Sequence, residues 1–385
     1  MTRRARDLGI RPGSGRPGRW NAITDVPGVR VGQVTLVDGD GPLAVGQGPV
    51  RTGVTVVLPR DEPAWQEPVF AGLHALNGNG ELTGATWLGE SGLLMSPVAI
   101  TSTHAVGVVR DALIAAETSA RPAGFPFWRL PVVAETWDGV LHDINGGHLT
   151  ADHVREALDI ATGGAVAEGG VGGGTGMICH GFKGGTGTSS RVLEPEAGGY
   201  TVGVLVQANH GRRERLTIDG VPVGRAIGLD VVPEPEMPEL PAGRSGGGSI
   251  VVVVATDAPL LPHQCRALAQ RAGLGVARTG GAGENWSGDI FLAFATRNRG
   301  LPNGDYGSES PVEVPLTMVA NAHLDPLYDA VIEATEEAIV NVLVAAQTMV
   351  GRDGIVAHGL DPDLLQSVLA QGRPTAAVPH PGQVP

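Results

Sequence analysis

AGRSGGGSIVVVVATD, residues 242–257, sets glycine-rich backbone directly against five consecutive β-branched residues, with Ser249 on the seam. Glycine suits a loop because it gives the chain its widest conformational freedom. Ile250 to Val254, apolar without polar alternation, predict a strand buried on both faces. The serine between them has two readings. One is the end of an ordinary Gly-Ser linker. The other is a nucleophile, which needs a base close by. A cut immediately before Ser249 supplies that base, since a free α-amine titrates at about 7.7–8.0, near working pH. The cut can be autocatalytic: Ser249 Oγ attacks the Gly248 carbonyl, the acyl group shifts from N to O, and water hydrolyses the ester. Glycine at 248 removes a side chain from the attacked carbonyl and permits a strained backbone. The loop then swings away while the strand holds the new terminus still.

Working outward, VTVVL (54–58), VGVLVQ (202–207) and IFLAFAT (290–296) repeat the doubly buried strand pattern. DPLYDAVIEATEEAIVNVLVAAQTMV (325–350) predicts a helix, with Leu327, Val331, Ala334, Ala338 and Val342 on one stripe and Glu333, Glu336 and Glu337 on a polar side. HVREALDIA (153–161) and HQCRALAQRA (263–272) predict shorter ones. Strands buried beneath helices imply a layered α/β fold. Residues 1–20 read as an arm and 371–385 as a Pro-rich tail. VVPEPEMPELPAGRSGGG (231–248) has the composition of an exposed linker, and by composition alone it marks a domain boundary.

Bulk properties exclude several classes. The 385 residues fit one large or two ordinary domains, and a formal charge of −13 disfavours nucleic acid, whose phosphates call for Lys and Arg. Two cysteines, Cys179 and Cys265, make no disulfide framework, and no Cys or His spacing matches a metal motif. No apolar run is long enough to span a membrane, and no apolar segment follows the N-terminal arginines as a signal peptide requires. The expectation is a cytoplasmic protein. The glycine-rich stretch 163–191 lacks both phosphate-cradle registers, so close backbone approach is its better reading. GRSGG (243–247) matches a nucleophile elbow at Ser245, but that motif needs a strand before it and a helix after it. Here a Pro-rich segment precedes and a strand follows.

The wider chain decides between the two readings of Ser249. NAITDVPGVRVGQVTL (21–36), GLHALNGNGELTG (72–84), PVAITSTHAVGVVRDA (97–112), VVAETWDGVLHDING (132–146), VLVQANHG (204–211), GGGSIVVVVATDAPLLPHQ (246–264) and WSGDIFLAFAT (286–296) resemble the self-processing N-terminal-serine aminopeptidases. This is the L-aminopeptidase/D-esterase (DmpA) and β-peptidyl aminopeptidase family. The resemblance implies a four-layer αββα sandwich, cleaved between Gly248 and Ser249 into an α chain (1–248) and a β chain (249–385) that together form one catalytic domain. It also implies a tetramer of processed heterodimers, acting without metal or organic cofactor on short peptides, amides or esters bearing a free amino group.

Residue roles follow from the same resemblance. Ser249 would be the nucleophile and Asn209 the oxyanion donor, with Ser287 and Asp289 orienting the nucleophile and its amine. Glu135 would receive the substrate's amino group. Asp289 stands where the family often carries Glu, and Trp137 where Tyr is expected; an indole N–H donates but does not accept. Asn145 is expected to shape the same pocket. Two rivals stay open: an ornithine-acetyltransferase-like acyl transferase, and an uncleaved binding or scaffold module.

Overall fold

The side chains of the strand that begins at Ser249 alternate between two cores. Ile250, Val252 and Val254 enter one, and Val251, Val253 and Ala255 the other. Successive residues of a strand point to opposite faces, so an unbroken apolar run marks a strand that is wet on neither. Burying each such side chain contributes about 1.5–3 kcal/mol. The computed structural model describes residues 3–124, 126–236, 248–305 and 311–372; Ser245, most of the Pro-rich segment and the tail beyond 372 lie outside them.

In chain order the strands that concern the site are β1 (Arg30–Asp38), β2 (Val50–Leu58), β3 (Val69–Ala75), β4 (Leu93–Leu94), β5 (Val98–Ser102), β6 (Val132–Thr136), β7 (Ile178–Cys179), β8 (Phe182–Lys183), β9 (Gly185–Val192), β10 (Thr201–Asn209), β11 (Ser249–Thr256) and β12 (Asp289–Ala295). One sheet runs β1-β2-β5-β6, a second β4-β3-β12-β11-β10-β9. Four helices cover them: α1 (Val106–Ala120), α2 (Ala151–Asp159), α3 (Pro262–Arg278) and α4 (Asp325–Ala345). Ile100, Ala134, Leu205, Val253 and Phe294 fill the space between the sheets. Val109, Leu113 and Val154 seal α1 and α2 onto the first sheet, and Leu268, Ala272, Val331 and Ala338 seal α3 and α4 onto the second. The order of layers is therefore helix, sheet, sheet, helix, as the resemblance implies. β10 and β11, on either side of the Pro-rich segment, pair in one sheet. Among the described residues, no helix is long and apolar enough to cross a membrane.

Two expectations need correction. Helix α4 stops at Ala345, where Ala346 turns extended (φ −71°, ψ 128°), instead of running to 350. Its glutamates do not face water either. Glu337 is fully buried, bonded to Arg6 Nε at 2.8 Å and to an Arg191 guanidinium nitrogen at 2.8 Å. A buried carboxylate must be paired, and the N-terminal arm supplies one partner by docking here, with Ala5, Leu8 and Ile10 in the core.

Glycine sets how closely α3 approaches its sheet. A Cβ on Gly72 of β3 would lie 2.2 Å from Arg266 N on α3, backbone against backbone. Gly72→Ala is expected to lose roughly 1–3 kcal/mol through overpacking. Thermal unfolding measures this, and an unchanged midpoint refutes the tight contact.

Candidate active site

Three neighbouring strand ends build the site. β10 and β11 pair antiparallel with Asn209 opposite Ser249, and β11 and β12 run parallel with Ile250 beside Asp289. The registers alone thus bring together residues separated by tens of positions in sequence. Ser249 is 5% exposed, and its Oγ accepts a hydrogen bond from Gly288 N at 3.0 Å. Ser287 Oγ contacts the Gly248 carbonyl and lies 2.5 Å from Asp289 Oδ1. The carbonyl of the bond expected to break is therefore held by a hydroxyl.

Asp289 is gripped from its other side by Asn77, just beyond β3. Asn77 Nδ2 donates to Asp289 Oδ2 at 3.2 Å, and Asn77 Oδ1 accepts from Asp289 N at 2.6 Å. Burial raises the Asp289 carboxyl above its ordinary value, opposed by the Ser287 and Asn77 hydrogen bonds. One hydroxyl hydrogen cannot serve both the Gly248 carbonyl and an ionised Asp289. A proton on the carboxyl would let Asp289 donate to Ser287 and Ser287 donate to the carbonyl. Sequence reading missed Asn77, which carries no local signal.

Asn209 is fixed at both ends of its amide. Oδ1 accepts from Ile178 N at 2.8 Å, and Nδ2 donates to the Trp137 carbonyl at 2.9 Å. An amide nitrogen carries two hydrogens, so one remains. A Cβ on residue 248 would fall 1.8 Å from Asn209 O and 3.4 Å from Nδ2, so the glycine is required and lies beside that amide.

Glu135, at the end of β6, comes from the other sheet. It is 4% exposed, accepts from Glu81 N at 2.9 Å and from Thr103 Oγ1, and is raised above the usual carboxylate range by burial. A Cβ on Gly80 would lie 3.3 Å from Glu135 Oε1 and 3.0 Å from Gly288 Cα, which puts this carboxylate beside the loop touching Ser249. Trp137 enters the network through its carbonyl; its side chain is 36% exposed and lies against Gly139. Asn145 pairs with His104 at 2.9 Å in an exposed position. Sequence reading also missed Asp138, which follows Trp137 in the chain and is fully buried, where it accepts from Thr52 Oγ1 at 2.7 Å and Ser102 Oγ at 2.8 Å. Burial pushes its pKa up to about 7.

A cavity of about 520 Å³ lies elsewhere, on the outer side of the first sheet, lined among others by Arg30, Trp65, Leu113 and Leu158. None of Ser249, Asn209, Ser287, Asp289 or Glu135 lines it.

Comparison with known proteins finds relatives over nearly the whole chain. The model of peptidase family S58 matches residues 21–357. The β-peptidyl aminopeptidase BapA of Sphingosinicella microcystinivorans is 49% identical over 379 residues, covering 97% of this chain and 93% of that protein. Among solved structures, a Burkholderia sp. β-aminopeptidase aligns with a TM-score of 0.89 at 55% identity, over 97% of this chain and 100% of that one. The L-aminopeptidase D-Ala-esterase/amidase of Ochrobactrum anthropi, described as a prototype for the serine aminopeptidases and a new variant of the Ntn hydrolase fold, aligns with a TM-score of 0.84 at 44% identity. It covers 96% of this chain and 98% of its own.

Proposed function

This chain belongs to peptidase family S58, and on that premise we propose that it is a serine aminopeptidase activated by its own cleavage between Gly248 and Ser249. The observation that carries the reading is the seam itself. Ser249 Oγ, the Gly248 carbonyl, the Ser287–Asp289 pair and the Asn209 amide converge at the ends of β10, β11 and β12.

In the first reaction Ser249 Oγ attacks the Gly248 carbonyl while Ser287 polarises it. The Gly248–Ser249 C–N bond breaks, the nitrogen takes up the proton that Oγ gave up and becomes the α-amine, and water hydrolyses the resulting ester. In each later turnover the α-amine accepts the Oγ proton as Oγ attacks a substrate carbonyl. It returns that proton to the leaving group, and water then releases the acyl group. Asn209 Nδ2 donates to the oxyanion in both reactions, where preorganised donors act most strongly. Ser287 and Asp289, braced by Asn77, orient the nucleophile and its amine.

Glu135 gives the reaction its exopeptidase character by pairing with the substrate's free ammonium. The substrates are N-terminal residues of short peptides, amides or esters, with β-amino and D-configured residues included. Assembly as a tetramer of processed heterodimers belongs to the same proposal and is supported by the resemblance alone. Membership of a peptidase family disfavours both the acyl-transferase and the scaffold readings.

The test compares an amino-acid amide bearing a free amine with its N-acetyl derivative. Only the first should be hydrolysed; equal rates reject the assignment. Glu135→Gln should lower kcat/KM by roughly 10–100-fold, mainly through KM, as expected for loss of a hydrogen bond to a charged group. Because burial raises the Glu135 carboxyl, ammonium binding in the wild type should fail on acidification at a higher pH than an ordinary glutamate would give. The pH profile of KM should show that acidic limb, and Glu135→Gln should abolish it. An unchanged KM profile removes Glu135 from the amine site.

A further inference from the structure

We propose that Cys179, His180 and His210 form a binding site for a thiophilic divalent cation of the zinc class, set behind the strand end that carries Asn209. No sequence spacing announces this cluster. Cys179 and His180 stand at the turn between β7 and β8, and His210 directly follows β10. All three are buried (0%, 0% and 4% exposed), and one ligand atom from each lies within 4.8 Å of the other two. Cys179 Sγ is 3.9 Å from His210 Nδ1. A tetrahedral zinc ion, with sulfur at about 2.3 Å and nitrogen at about 2.0–2.1 Å, sets its ligand atoms about 3.3–3.7 Å apart. Small movements of the side chains close that gap.

Two independent features point to a ligand. First, His180 Nδ1 faces the Arg212 carbonyl at 3.1 Å, which fixes the tautomer: Nδ1 donates and Nε2 presents a lone pair. Among the described residues that Nε2 has no hydrogen-bond partner, and neither has His210 Nε2, although both are buried. Buried polar atoms are normally satisfied, so the orphaned Nε2 of His180 beside a thiol calls for a partner, while the contact to Sγ makes Nδ1 the nearer ligand atom of His210. Second, the ring position is constructed. His180 holds φ +49°, a left-handed conformation uncommon outside glycine. Gly211, at φ +86°, leaves the space the ring fills, since a Cβ there would lie 2.3 Å from it.

Binding replaces the Cys179 S–H bond with a sulfur–metal bond and releases one proton to solvent. The two imidazoles enter neutral, and the fourth position is left to water. The ion would tie the β7–β8 hairpin to the end of β10. That hairpin already meets β10 through Ile178 N to Asn209 Oδ1 at 2.8 Å and His180 N to the His210 carbonyl at 2.8 Å. Such a clamp fixes the amide that faces Gly248. Neither these residues nor the test depends on the peptidase assignment.

The test expresses the full chain in minimal medium with cobalt as the added divalent metal and purifies it without a metal-affinity step. Expected are one cobalt per chain by elemental analysis and a thiolate-to-cobalt charge-transfer band that Cys179→Ser abolishes. The chain has two cysteines, so Cys265→Ser provides a second arm: a retained band assigns the thiolate to Cys179 even if Cys179→Ser does not fold. Protein free of cobalt, cobalt bound without the band, or a band that survives in Cys179→Ser overturns the site. Each result would leave the three residues as a packed neutral cluster, consistent with the edge-to-face ring contact of His180 and His210 at 5.1 Å.

Discussion

Ser249→Ala is expected to run as one chain of 39.5 kDa on a denaturing gel, while the wild type resolves into two fragments, residues 1–248 and 249–385. Loss of one hydroxyl removes the attacking atom of the cleavage and the nucleophile of every later turnover. Hydrolysis should therefore fall to background, by roughly the 10⁶-fold seen when a nucleophilic serine is removed from a serine hydrolase. The substitution should spare the fold, because position 249 is buried at the end of β11 and alanine fits wherever serine does. Circular dichroism should show the same fold, with stability to unfolding lowered by at most roughly 1–3 kcal/mol because the Gly288 N–H loses its acceptor. Intact mass provides the sharper reading. The second wild-type fragment should begin Ser-Ile-Val-Val, with its mass equal to residues 249–385 plus one water. A wild type that is active as a single chain would refute the self-cleavage mechanism, because no free amine would then exist at Ser249. Cleavage at a different bond would refute it equally.

The doubly buried strands were legible because their chemistry is local. Five β-branched residues announce β11 without any knowledge of its neighbours, and the same pattern announces β10 and β12. β9 was not legible. Its sequence, GTGTSSRV, is polar and glycine-rich, yet Gly185 to Arg191 are buried. Its polar groups are met within the core: Thr188 Oγ1 donates to the Val204 carbonyl at 2.7 Å, and Ser190 Oγ to Asp25 at 2.7 Å. Its glycines serve the close approach that the sequence suggests, for a Cβ on Gly187 would sit 2.1 Å from the Ala338 carbonyl of α4. The site divides along the same line. Ser249 drew attention by standing at the head of a recognisable strand, and Ser287 and Asp289 came from the family resemblance of the segment that leads into β12. Asn77 lies 212 positions from the carboxylate it braces, and only the pairing of β3 with β12 brings them together. The polar side assigned to α4 failed for a related reason. Periodicity shows that Glu333 and Glu337 share a face, but not that Arg191 reaches both or that the N-terminal arm covers Glu337.

Asn209→Ala carries the second large effect, and its two consequences can be separated. As an oxyanion donor, Asn209 should be worth about 10²–10³ in kcat, or roughly 2.7–4 kcal/mol of barrier. The same amide also holds Ile178 N and the Trp137 carbonyl. Truncation strands both of these groups, at roughly 1–3 kcal/mol for each that stays dry, so the unfolding midpoint should fall as well. A purely structural role would reduce activity only through the folded fraction, leaving kcat per folded molecule intact. The oxyanion role predicts a reduced kcat in fully folded protein with KM little changed, because the donor acts on charge that exists only in the transition state. It further predicts slow self-cleavage, since that reaction passes through a tetrahedral intermediate at the same place. Asn209→Asp sharpens the comparison. Aspartate keeps an acceptor for Ile178 N but sets an oxygen against the Trp137 carbonyl and offers the oxyanion no hydrogen, so its kcat should fall at least as far as that of the alanine variant. If both variants process and turn over at wild-type rates once folded, the oxyanion donor lies elsewhere, and Gly288 N, already 3.0 Å from Ser249 Oγ, becomes the group to examine.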